Sequence, residues 1–129
     1  MSLYIAGPMT GITDEHGNPT HNYPAFHAAA ADLRSRGHTV VNPAELHHDA
    51  VTNPQTWECY MRADIRALLG TDAVVVLPGW EHSKGARLEV VIAKALGMRV
   101  WEYEPHIEPD RQAALEAVVT VHITLPSLV

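Results

Sequence analysis

Apolar positions follow two rhythms along the chain. Leu3-Tyr4-Ile5-Ala6 is a short apolar run that stops at Gly7-Pro8, and Thr39-Val40-Val41 is a second that Asn42-Pro43 breaks. Ala73-Val74-Val75-Val76-Leu77 is continuous and β-branched, as a strand covered on both faces requires, and Met98-Arg99-Val100-Trp101 is a fourth run. Between these runs the period becomes helical. Phe26, Ala29, Ala30 and Leu33 recur at helical spacing between an N-cap at Asn22, with Pro24 in the first turn, and a left-handed stop at Gly37. A second helix is expected from a cap at Asn53 and Pro54 through Trp57, Tyr60, Met61, Ile65 and Leu68 to Gly70. A third is capped by Ser83, carries Leu88, Val91, Ile92, Ala95 and Leu96 on one apolar stripe, and closes at Gly97.

Three helices in succession end in glycine followed at once by a strand, which predicts right-handed βαβ crossovers. The expected architecture is an α/β, doubly wound parallel sheet in the order 2-1-3-4-5, with helices on both faces. A last helix near Asp110 to Val118 and an alternating tail of Val119, Val121, Ile123 and Leu125 supply the fifth strand or an oligomer contact. The loop after the first strand, through Met9, Thr10, Gly11, Asp14, Gly17 and Pro19, is longer than most βα connections and is expected to act as a lid.

The 129 residues suit a single domain, and 47% apolar residues with 19% charged ones favour a packed interior over disorder. A formal net charge of -6 repels a phosphate backbone, so no nucleic-acid polymer is expected as a partner. Cys59 is the lone cysteine, which excludes an internal disulfide and any Cys-x-x-Cys zinc or redox site. The amino terminus has neither a basic region nor the apolar run of a signal peptide, and no apolar stretch approaches membrane length. A cytoplasmic protein with no membrane partner is expected.

Ligands of open parallel sheets bind beyond the carboxyl ends of the strands. The loop Gly7-Pro8-Met9-Thr10-Gly11 lacks the spacing of a dinucleotide fingerprint and the lysine of a P-loop, which lowers hydride transfer and ATP hydrolysis as readings. Two carboxylates stand out instead. Asp64 shares the apolar stripe of the second helix, where an acid needs a partner such as Arg62 or Arg66, or a function. Glu89 follows Ser83-Lys84-Gly85-Ala86 in the first turns of the third helix, where the helix dipole favours an anion; its plain alternative is a solvated residue beside Arg87. His47-His48-Asp49 is a weak metal set, because neighbouring side chains point apart, and the histidines are expected to be largely exposed. Asp72 reads as a turn residue at the amino end of the sheet, and Trp80 and Trp101 read as packing or as base-stacking groups.

Together Tyr4-Ile5-Ala6-Gly7-Pro8, Asp64, the strand from Asp72 to Val76, Ser83-x-Gly85-Ala86-x-x-Glu89 and Ala93-x-x-Leu96-Gly97 resemble the nucleoside 2-deoxyribosyltransferase superfamily, which includes nucleoside 5'-monophosphate N-glycosidases. The resemblance runs from about Leu3 to Trp101 and is nearest to a small phage and bacterial branch. It implies a flavodoxin-like fold and cleavage of the bond between a sugar and its base. Glu89 would be the nucleophile, Asp64 would serve the leaving base or the sugar hydroxyls, and Tyr4 would orient the nucleophile. Gly7, Pro8, Gly11, Ser83, Lys84, Gly85 and Arg87 would contact the substrate. No metal or organic cofactor is implied, and a homo-oligomer of at least two copies is. The family's glycine after the glutamate is Val90 here. Lys84 and Arg87 near a helix N-terminus tilt the substrate from nucleosides towards 5'-monophosphates. The rival reading is a catalytically silent nucleotide-binding module, a sensor or sponge.

Overall fold

Strand β1 (Ser2–Ala6) lies between β2 (Thr39–Val41) and β3 (Ala73–Val76), and β4 (Arg99–Glu102) completes a four-stranded parallel sheet in the order β2-β1-β3-β4. The computed structural model describes residues 1–9, 16–17, 20–47 and 55–105. Around the sheet run α1 (Tyr23–Ser35), α2 (Pro43–Leu46), α3 (Trp57–Leu69) and α4 (Lys84–Ala95), with a 3₁₀ turn at Trp80–His82. This is the α/β architecture and the first four places of the strand order that the sequence predicts. The expected last helix and the tail from Val119 to Leu125 lie outside the described residues, as do Gly11 and most of the expected lid.

Successive residues of a strand face opposite sides, and this period of two divides the core. Leu3, Ile5, Ala73 and Val75 pack against Phe26, Ala29, Ala30 and Leu33 of α1 on one face. Tyr4, Ala6, Val74 and Val76 pack against Leu68 of α3 and Ala86, Val90 and Ala93 of α4 on the other. Both tryptophans discussed above, Trp80 and Trp101, are buried in these layers. Asp72 accepts from the Ser2 backbone N–H at 2.9 Å, which pins the amino end of β1 to the approach to β3.

Local details differ from the sequence reading. Asn22 precedes α1, but it adopts a left-handed backbone (φ 58°) and its side chain caps nothing; Nδ2 donates instead to the Pro8 carbonyl at 2.8 Å. Helix α3 starts at Trp57 and not at Pro54, because Thr56 is the cap, its hydroxyl accepting from Cys59 N at 3.2 Å. Asn53 and Pro54 lie outside the described residues. Gly37 and Gly97 take the expected left-handed backbone, whereas Gly70 does not (φ -86°). The residues after β2 form the short helix α2, where Asn42 accepts from Ala44 N at 3.0 Å.

The largest correction concerns α4. Its buried residues are Ala86, Glu89, Val90 and Ala93, while Leu88, Val91 and Ile92 are half-buried and Leu96 is 60% exposed. Small residues face the sheet and let the helix approach it closely. The leucine stripe that hydrophobic periodicity selects therefore lies away from the core.

Candidate active site

Tyr4 stands in the middle of β1, paired in register with Val41 on one side and Val74 on the other. The strand alternation that sends Leu3 and Ile5 towards α1 sends Tyr4 towards α3 and α4. There it meets Glu89, which the pitch of α4 places on the same inner face as Ala86, Val90 and Ala93. Helix α4 is positioned by Ser83, whose hydroxyl accepts from Ala86 N at 3.2 Å. From α3, Asp64 enters the same region between Met61 and Leu68 on the buried face. Glu89 is 4% exposed and Asp64 6%.

The electrostatics follow from this burial. Removal from water pushes the Glu89 carboxyl up from 4.5 to about 8; the nearby Tyr4 hydroxyl pulls it back, and the Asp64 charge pushes it further up. The Tyr4 phenol is held well above the ordinary tyrosine range, by burial first and then by the charges of Glu89 and Asp64. Tyr4 and Glu89 are thus close enough to influence each other. Yet neither the Tyr4 hydroxyl nor Glu89 Oε2 has a hydrogen-bond partner of standard geometry among the described residues. A buried hydroxyl and a buried carboxyl oxygen left without a well-aligned partner are costly to the fold, on the order of 1–3 kcal/mol for each unmet group. Such groups are what a site built for a polar ligand retains.

Asp64 does have a partner, and it is neither Arg62 nor Arg66. Its Oδ1 lies 2.5 Å from Nε2 of His47, a residue only 8% exposed at the end of α2. The sequence reading missed His47 by treating the histidines as exposed. No local signal marks it, since α2 is too short to show periodicity and the pairing spans two helices.

The other expected contact residues among those described lie just after β1 and at the start of α4. Gly7 is buried at the carboxyl end of β1, and a Cβ there would lie 2.9 Å from Leu77 Cβ, so only glycine lets β1 and the end of β3 run this close. Pro8 follows it, half-buried, its carbonyl held by Asn22. Lys84 sits with its ammonium 4.1 Å above the Trp57 ring, and Gly85 lies against Met61, whose Sδ would be 3.0 Å from an added Cβ. Arg87 is half-buried, and Val90 is fully buried in the layer that holds Tyr4. Among the described residues no group of three His, Cys, Asp or Glu side chains is arranged to hold a metal ion. No described helix is long and apolar enough to cross a membrane.

Residues 1–102 match a family model described as a domain of unknown function, DUF4406. The chain belongs to the DUF4406 family. Among solved structures, the DUF4406 fold is similar to a 2-deoxyribosyltransferase from the psychrotolerant bacterium Bacillus psychrosaccharolyticus, a biocatalyst for the synthesis of nucleosides. The two share 20% identity with a TM-score of 0.57, over 84% of this chain and 75% of the other. At that identity the likeness is one of fold, and it agrees with the superfamily that the motifs of the DUF4406 chain resemble. No curated protein matches the sequence.

Proposed function

We propose that this DUF4406 protein cleaves the N-glycosidic bond of a nucleoside or nucleoside 5'-monophosphate, by hydrolysis or by exchange of the base. The observation that carries the reading is the grouping of Tyr4, Asp64 and Glu89 in one buried region, with the Tyr4 hydroxyl and Glu89 Oε2 lacking partners. The fold shared with a deoxyribosyltransferase supports it at the level of architecture.

In the proposed reaction a Glu89 oxygen attacks the anomeric carbon of the sugar. The bond to the base nitrogen breaks, its electron pair stays on the base, and a proton reaches that base from the Asp64 side. A glycosyl ester on Glu89 remains. Water or a second base then attacks the same carbon, gives up a proton to the Asp64 side and frees the carboxylate, so configuration is retained over two displacements. Tyr4 donates to Glu89 and fixes the attacking oxygen. Gly7 and Pro8 form the floor beneath the sugar, while Ser83, Lys84, Gly85 and Arg87 at the start of α4 meet the 5' side, where helix dipole and positive charge favour a phosphate. The route calls on no metal or organic cofactor. We extend the proposal to a cytoplasmic homo-oligomer of at least two copies, which light scattering of the full chain tests.

A second reading, a nucleotide-binding module without turnover, has one observation in its favour. A carboxyl that titrates at about 8 is largely protonated at neutral pH, and a protonated glutamate is a poor nucleophile. One experiment separates the two. The purified protein is incubated with a panel of nucleosides and 5'-monophosphates at pH 7 and pH 9, and free base is measured by chromatography. Base release supports cleavage, whereas ligand-dependent thermal stabilisation without base release supports the silent module.

A further inference from the structure

The pairing of His47 with Asp64 is fixed beyond what a buried acid needs. The imidazole ring packs edge-on against Tyr60, with ring centroids 4.7 Å apart and an interplanar angle of 65°. The His47 carbonyl accepts from the Tyr23 hydroxyl of α1 at 2.6 Å, and its backbone N–H donates to the Pro43 carbonyl at 3.1 Å. Helix α2 is itself held at its start by Asn42. The ring is therefore constrained from α1, α2 and α3 together, and Nε2 engages one oxygen of Asp64. That oxygen is Oδ1, at 2.5 Å; no hydrogen bond to Oδ2 is found among the described residues. A carboxylate with one oxygen clamped and the other left over, in reach of Tyr4 and Glu89 electrostatically, is oriented.

We propose that His47 is a positioning residue for Asp64: through Nε2 it holds Oδ1 so that Oδ2 is the oxygen presented to the departing base. This inference rests on the glycosidic cleavage assigned above and adds to it the residue that aims the acid. Misdirecting a proton-delivering group by a fraction of an ångström to an ångström slows the step that needs the proton and leaves other steps alone. His47 should therefore matter in proportion to how much the leaving group needs a proton.

The test compares two substrates: the nucleoside or 5'-monophosphate that the wild type cleaves fastest, and p-nitrophenyl riboside or its 5-phosphate, whose leaving group departs as a stable anion. His47→Phe keeps a ring against Tyr60 and removes the hydrogen bond. It should lower kcat on the natural substrate by about tenfold to a hundredfold with KM within about twofold, and lower the p-nitrophenyl rate at least tenfold less. His47→Gln puts an amide N–H near the position of Nε2 and should recover most of the loss, whereas His47→Asn, whose N–H reaches only the Nδ1 position, should not. The Gln and Asn pair keeps the test decisive should the Phe variant not fold. Equal losses on both substrates, or equal rates for Gln and Asn, would overturn the positioning role while leaving the cleavage reading intact. A wild type that cleaves neither substrate removes the cleavage reading, and this inference with it.

Discussion

The Tyr4 hydroxyl and the Glu89 carboxyl meet between β1 and α4, and the tyrosine is the one neighbour that draws Glu89 back towards ionisation while burial and Asp64 oppose it. Loss of this donor and loss of that charge should therefore act in opposite directions. On the proposed function, kcat/KM rises with pH as free Glu89 ionises, with a limb centred at about 8. Tyr4→Phe should move the limb to higher pH and Asp64→Asn to lower pH, each also lowering the plateau. Initial rates from pH 5 to 10 read both shifts; limbs that move the same way, or not at all, would contradict the coupling.

Glu89→Ala and Glu89→Gln remove the attacking oxygen. Base release should fall by about a thousandfold or more, because Asp64, held by His47 on the leaving-group side, does not replace Glu89 in forming the glycosyl ester. Calorimetric binding of the substrate should persist in the Gln variant. A variant that releases base at the wild-type rate would put the nucleophile elsewhere.

Stability carries an independent signature of the same residue. The unfolded chain gives up the Glu89 proton near 4.5, the folded chain only near 8. Between those values the folded state binds more protons than the unfolded state, so the contribution is present in full below pH 4.5 and is lost as pH rises to about 8. The loss is on the order of several kcal/mol if the site stays closed to water. Glu89→Gln should flatten this decline and melt higher than wild type at pH 9. Urea titrations at pH 5, 7 and 9 check it, and parallel declines in the two proteins would count against a buried, neutral Glu89.

Gly7→Ala tests the floor of the site. The added methyl would sit 2.9 Å from Leu77 Cβ, an atom fixed to the backbone that no rotamer change can move, so β1 and the end of β3 must separate. A loss of about 1–3 kcal/mol is expected. On the proposed function the variant also cleaves more slowly, since the floor under the sugar has shifted. A thermal melt indistinguishable from wild type would show that the strands have slack there.

Much of the fold is legible in the residues themselves. The β-branched run from Ala73 to Val76 identifies a strand covered on both faces, and Gly37 and Gly97 mark real left-handed stops. The inner face of α4 is not legible, because close packing on the sheet selects Ala86, Val90 and Ala93 by size, while periodicity weighs Leu88 and Leu96 by hydrophobicity. Asp64 is conspicuous as a polar residue on an apolar stripe. His47 is silent, because the constraint on it comes from α1 and α3 and its own four-residue helix is too short to carry a pattern. Chain order reveals a misplaced charge, but the partner that answers it depends on how the helices pack.

Tyr4 belongs to the hydrogen-bonded ladder of β1, one of the two strands, with β3, that pair on both sides. Its side chain cannot leave Glu89 unless β1 parts from the sheet, and parting β1 dissolves both apolar layers at once. The amide of Tyr4 should then exchange with deuterium only through global unfolding, alongside those of Val74 and Val75. Heat or urea would find no intermediate in which this corner has melted and the rest of the sheet survives, and the chemistry would stay intact up to the cooperative transition.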